Sequence, residues 1–101
     1  MIHVIAAITI KPGKRAAFLE RFKNNVPNVL AEEGCVEYTP AVDVDSGIGV
    51  QTKNADVVTV IEKWETLDAL RAHLAAPHMA RYREDTADLT EGLTLSVLED
   101  A

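Results

Sequence analysis

The segment Ile2 to Ile10 constrains the fold of this chain more than any other. It is short and rich in β-branched residues, and Lys11-Pro12-Gly13 closes it, so it reads as a strand ending in a turn. Successive side chains of a strand point to opposite faces. Ile2, Val4, Ala6, Ile8 and Ile10 therefore share one face, and His3, Ile5, Ala7 and Thr9 the other. The strongest strand signal, Val57 to Trp64, splits in the same way, into Val58/Val60 and Val57/Ile61. A sheet that is apolar on both faces needs cover on both. With 101 residues the chain makes one domain, 1–101, and has no room for a second. Its own helices can cover one face, and a second copy of the chain is the simplest cover for the other.

Between these strands, apolar positions Ala16, Phe18, Leu19, Phe22, Val26, Val29 and Leu30 recur at three- and four-residue steps, which predicts a helix from Pro12 to about Glu33. Pro27 removes one helical bond and predicts a bend or break, while Gly34 suits the left-handed position that ends the helix. A strand follows from Cys35 to about Val44, then a surface loop, Asp45 to Asp56, with a strand-like middle as an option. Thr66 can cap a helix from Leu67 to about Ala75, and Pro77 suits the first position of another, through about Leu89. Leu93 to Leu98 forms the last strand. The order is βαββαβ, the α+β ferredoxin-like pattern, with the second helical segment divided near Ala76-Pro77.

Composition narrows the function. The balance of 10 basic against 16 acidic residues, net −6, and the five scattered aromatics exclude the basic, aromatic-interleaved surface that binds nucleic acid. The longest apolar run, Val4 to Ile8, is far short of the ~20 residues of a membrane span, and no positively charged stretch precedes it as in a signal peptide. The expected location is the cytoplasm, with no membrane partner. Cys35 is the only cysteine and is expected to be a small buried hydrophobe. His73 and His78 are five residues apart across a proline, unlike the helical spacing of zinc sites, so no metal is expected. No glycine-rich phosphate loop or nucleophile elbow is present either.

Two segments carry a family resemblance. Glu33-Gly34-Cys35-Val36-Glu37-Tyr38 is the weaker. The stretch Glu62-Lys63-Trp64 through His73 to Pro77-His78-Met79 is the more specific, with a His nine residues after the Trp and a Pro-His helix start. Together with the βαββαβ order they resemble the antibiotic biosynthesis monooxygenase (ABM) domain family, in particular its quinol-monooxygenase-like branch. The resemblance implies a dimeric α+β barrel, with two sheets face to face and a pocket between sheet and helices in each subunit. It also implies oxidation of quinol-type or polyphenol aromatics by molecular oxygen without a cofactor. Relatives include haem-degrading proteins and an isomerase of a phosphorylated sugar, so the fold does not fix the reaction. The haem-degrading branch uses an Asn, a Trp and a His at positions that align with Ala6, His73 and Arg83 here, and none of the three matches.

Among residues able to carry chemistry, His73 lies about 90° from the centre of the stripe Leu67, Leu70 and Leu74, at the border of the second helix. Such a histidine is either structural or a base at a cleft, and the resemblance favours the cleft. His78, in the first helical turn after Pro77, shares a face with Tyr82, either as base beside phenol or as a cap beside a core aromatic. Glu62 and Trp64 lie on the Val58/Val60 face. A buried carboxylate there must be paired or protonated, and could orient a histidine, bind a substrate hydroxyl or pair with a cation. Trp64 is either core or a ligand platform. The expected catalytic residues are His73 and His78, and the expected substrate pocket is formed by Tyr38, Glu62, Trp64 and Tyr82. Arg81 and Arg83, if gathered at the pocket, would favour a phosphorylated or acidic ligand. The expected activity is cofactor-independent oxidation of a quinol or polyphenol by molecular oxygen. The alternatives are an isomerase or lyase of a small polar metabolite and a non-catalytic binding or stress-response protein.

Overall fold

A computed structural model describes residues 1–101. The chain forms β1 (Ile2–Ile10), α1 (Arg15–Leu30), β2 (Cys35–Ala41), β3 (Val57–Trp64), α2 (Leu67–Leu74), α3 (Pro77–Thr86) and β4 (Thr90–Glu99). The strands make one antiparallel sheet in the order β2-β3-β1-β4. This is the ferredoxin-like βαββαβ arrangement with the second helical segment divided in two, as the sequence predicts. No helix is long and apolar enough to cross a membrane.

Local signals explain the boundaries. The Thr66 hydroxyl accepts from the Ala69 amide at 3.0 Å and starts α2, and Pro77 occupies the first turn of α3. Helix α1 continues through Pro27 to Leu30 without the expected break, because Pro27 falls in the last turn, where one missing bond matters least. Strand β4 begins three residues before Leu93. A bulge at Thr9/Ile10 lets Thr90 pair with Ile10 past Gly92, a pairing that local periodicity does not reveal. Residues 42–56 contain no strand, and short contacts such as the Asn54 amide to Asp43 at 2.6 Å and Lys53 to Asp45 at 3.0 Å hold them.

The core lies between the helices and the Val4/Val58/Val60/Trp64 face, with Phe18, Phe22 and Val29 of α1 packed onto it. Cover by the helices stops short of β4. Val97, Leu95 and Leu93 pair with Val4, Ala6 and Ile8, so they face the helix side, yet all three are exposed. On the opposite face Ile5 and Leu98 are exposed as well. Apolar surface is thus uncovered on both sides of the β1–β4 half of the sheet.

Candidate active site

The uncovered half of the sheet floors a cavity of about 480 Å³. Ala6 and Ile8 of β1 and Leu93 and Leu95 of β4 line its floor, Tyr38, Val60 and Glu62 one wall, and His73, Met79, Tyr82 and Arg83 of α2 and α3 its roof. The lining is mainly apolar, with a few polar groups converging on it, which is the usual composition of a small-molecule site.

His73 is not at a helix border but buried, at 2 % exposure. Leu67 and Leu74, expected in the core stripe, are exposed. The buried side of α2 is Leu70 and His73, because Trp64 and Tyr38 supply a flat aromatic surface for the imidazole. Its ring lies 4.6 Å from Trp64 and 5.4 Å, edge-on, from Tyr38. Its Nδ1 is 2.7 Å from Glu32 Oε2. Nε2 has no protein partner, and no buried side-chain polar atom is orphaned, so Nε2 opens on the cavity that His73 lines. Burial holds the imidazole below the ordinary histidine pKa although the Glu32 carboxylate pulls the other way. At neutral pH the ring is therefore an uncharged acceptor facing an apolar space.

The other expected site residues are divided. Tyr38, Glu62 and Tyr82 line the cavity with His73. Burial raises both phenols, Tyr82 to about 12, so each stays protonated and able to donate. Trp64 does not line the pocket. It is wholly buried behind His73, and its indole N–H donates to Glu62 Oε1 at 3.0 Å. The even positions of β3 all turn inward, and the wide indole reaches under α2 where the narrower Glu62 leaves room for a ligand. His78 lines a separate polar cavity of about 210 Å³ with Arg81 and Asn25, and Tyr82 borders both spaces. Arg81 and Arg83 are thus not gathered: Arg83 donates to the Leu74 carbonyl at 2.8 Å beside the larger cavity, while Arg81 borders the smaller. Nothing from the 42–56 loop lines either space. Cys35 is half-buried rather than buried, and burial beside Glu32 and Glu62 raises its thiol, which leaves it a weak nucleophile.

Glu32, just past the end of α1, is the residue the sequence reading lacks. Its carboxylate accepts from His73 through one oxygen and lies 3.0 Å from His78 Nε2 through the other. Its partners are 41 and 46 residues away, so no local pattern marks it; its only signal is its place beside the Glu33-Gly34-Cys35 turn. No group of three or more His, Cys, Asp or Glu side chains is arranged to hold a metal ion, since this trio turns its facing atoms on one another.

Glu62 offers a pH-dependent test. Burial raises its carboxyl from the ordinary 4.5 to about 6, against the opposing Trp64 bond. A raised carboxyl pKa favours the protonated folded form, so this stabilisation is complete below about 4.5 and is lost as pH rises through about 6. Glu62→Gln keeps an acceptor for Trp64 and cannot ionise. The stability of the variant minus that of the native chain should be flat below pH 4.5 and rise by on the order of 1–2 kcal/mol across that window. A difference that does not change with pH, in denaturant titrations from pH 4 to 8, would show that Glu62 ionises freely.

Comparison with known proteins identifies the family. The profile of the family described as "Antibiotic biosynthesis monooxygenase" matches residues 1–85. The chain belongs to the antibiotic biosynthesis monooxygenase family. It is 45% identical over 86 residues, 83% of each chain, to the protein named "Probable quinol monooxygenase YgiN" of Escherichia coli K12. Among solved structures it is similar in fold to PA3566 from Pseudomonas aeruginosa, with TM-score 0.81 and 24% identity over 99% of this chain and 93% of that one. A conserved protein from Methanosarcina mazei Go1 superposes with TM-score 0.84 at 21% identity, over 99% of this chain and 92% of that one. Ala6, His73 and Arg83 of this family member all line the cavity.

Proposed function

We propose that this chain is a cofactor-independent monooxygenase that oxidises a quinol or related polyphenol with molecular oxygen, acting as a cytoplasmic homodimer. The observation that carries this reading is the uncharged His73 whose Nε2 opens on a mainly apolar cavity. The name of the 45% identical relative supports the substrate class. A phenolic O–H transfers its proton to Nε2, leaving an electron-rich phenolate. Oxygen adds to a ring C–H carbon of that anion, forming a C–O bond, and the peroxide O–O bond breaks as that carbon loses its hydrogen. A quinol plus O₂ thus gives a hydroxyquinone plus water, and the substrate supplies all the electrons. The apolar lining keeps water from the anion and the peroxide.

The separation of Arg81 from Arg83 leaves the cavity without the cationic pair that an isomerase of a phosphorylated metabolite would use. The test is turnover of a 1,4-naphthalenediol under ¹⁸O₂. One labelled atom in the quinone product and one O₂ consumed per substrate are expected. Release of stoichiometric hydrogen peroxide, or no oxygen uptake above the uncatalysed rate, would overturn the reading.

The apolar residues left exposed on the sheet face opposite the helices, Ile5 and Leu98, support a dimer through that face that buries on the order of 1,200–2,000 Å² in total or more. Sedimentation at micromolar concentration should give twice the chain mass, and a monomer there would exclude it.

A further inference from the structure

The hydrogen bonds around Glu32 permit a single set of tautomers in the neutral rings. An ionised carboxylate only accepts, so His73 Nδ1, at 2.7 Å, and His78 Nε2, at 3.0 Å, must each carry the hydrogen. His78 Nδ1 is then an acceptor, and it faces the Asn25 amide nitrogen at 3.2 Å. That amide is oriented in turn, because Asn28 donates to the Asn25 carbonyl oxygen at 3.0 Å. The chain of bonds ends consistently at both ends: an amide on α1, and the bare Nε2 of His73 on the cavity. Two helices, α2 and α3, therefore converge on one carboxylate that is only 16% exposed.

We propose that Glu32 is the positioning residue of this site: it holds His73 as the Nδ1–H tautomer with Nε2 facing the cavity, while His78, itself held by Asn25, holds Glu32. When Nε2 takes a proton from a bound phenol, the O–H bond breaks, the Nε2–H bond forms, and the imidazolium charge lies against the Glu32 carboxylate. His78, which borders the other cavity, does not touch the substrate. The arrangement follows the general logic of a base oriented by a third group. The groups facing His73 are Glu32 from the turn after α1, Tyr38 from β2, His78 and Arg83 from α3, and Glu62 of β3 across the cavity. Of these only Glu32 bonds the ring, so its removal has a defined sign: the His73 imidazolium loses its partner and forms only at lower pH. The catalytic part of this proposal rests on the function proposed above, whereas the tautomer does not.

Long-range ¹H–¹⁵N NMR of the full chain, without substrate, tests the tautomer. His73 should be the Nδ1–H form at neutral pH in the native chain, and in Glu32→Gln it should titrate at lower pH. An Nε2–H ring in the native chain would overturn the proposal. In turnover, Glu32→Gln should lower kcat by roughly 10–100-fold, less than the roughly 10²–10⁴-fold of the general base itself because the base remains, with KM within about twofold and the acid limb of the pH profile moved down. Glu32→Gln with unchanged kcat and pH profile would overturn the catalytic role. His78→Gln keeps a side-chain N–H that can donate to Glu32 and should recover most of the activity that His78→Ala loses. If His78 were itself the base, the two variants would be equally inactive, and the proposal would fail. If the tautomer and its dependence on Glu32 hold but no phenolic substrate turns over, the positioning role stands and the monooxygenase reading falls.

Discussion

Replacing His73 by alanine is expected to lower turnover of a phenolic substrate by roughly 10²–10⁴-fold, the range in which positioned general bases contribute. The expectation rests on the bare Nε2 and on the shift that keeps the ring uncharged at neutral pH. Activity should depend on the neutral ring, so it is retained at neutral pH and lost as pH falls through a value below the ordinary histidine pKa of about 6.5. Alanine also removes a ring packed on Trp64 and leaves Glu32 without one partner, so the melting temperature should fall as well. His73→Asn separates the two effects. Its amide nitrogen can take the place of Nδ1 toward Glu32, yet nothing replaces Nε2. It should keep more stability than the alanine variant and be as inactive, with no acid limb. Activity within threefold of the native chain in both variants would remove His73 from the mechanism.

The second large effect is on stability. Gly34→Ala should cost about 2–5 kcal/mol, through two causes that add. The backbone of Gly34 has φ +82°, a conformation that L side chains adopt only with strain. A Cβ there would also sit 2.7 Å from the Ala69 Cβ on α2, so the turn and the helix would have to separate. The Gly34 carbonyl accepts from the Glu65 amide at 2.8 Å, which ties the turn to the segment leading into α2 and makes that separation expensive. For a domain of this size the melting temperature should drop by on the order of 10–30 °C. Gly49→Ala is the control, since a Cβ there meets open space and the φ is not positive, and it should change stability by less than about 0.5 kcal/mol. A Gly34→Ala chain melting within 2 °C of the native one would show that the turn yields freely. Because Glu32 lies two residues before Gly34, the same substitution should reduce activity although Gly34 itself lines neither of the two cavities described.

Gly34 and His73 show how far a sequence speaks for itself. Periodicity, Pro77, the Thr66 cap and the left-handed need at Gly34 are properties of a few consecutive residues, so the order βαββαβ and most boundaries could be read directly. The inward face of β3, with Val58, Val60, Glu62 and Trp64 together, follows from strand alternation alone, and so does the presence of a carboxylate among apolar neighbours. What a helix turns inward is different. The angle on α2 put Leu67, Leu70 and Leu74 at the centre of its core stripe, but the aromatic surface of Trp64 and Tyr38 selected Leu70 and His73. The start of β4 depended on pairing with β1, and the role of Trp64, behind the pocket rather than in it, on the width of an indole beneath a helix from another part of the chain. Glu32 was the hardest to see. Its chemistry comes from two histidines more than forty residues away, on two helices whose meeting point only the packed sheet and α1 define. The sequence by itself determined the elements and the residue types available for chemistry, because these follow from neighbours along the chain. The tertiary structure decided which of those groups meet, because a hydrogen bond of 2.7 Å between distant residues depends on how whole elements pack.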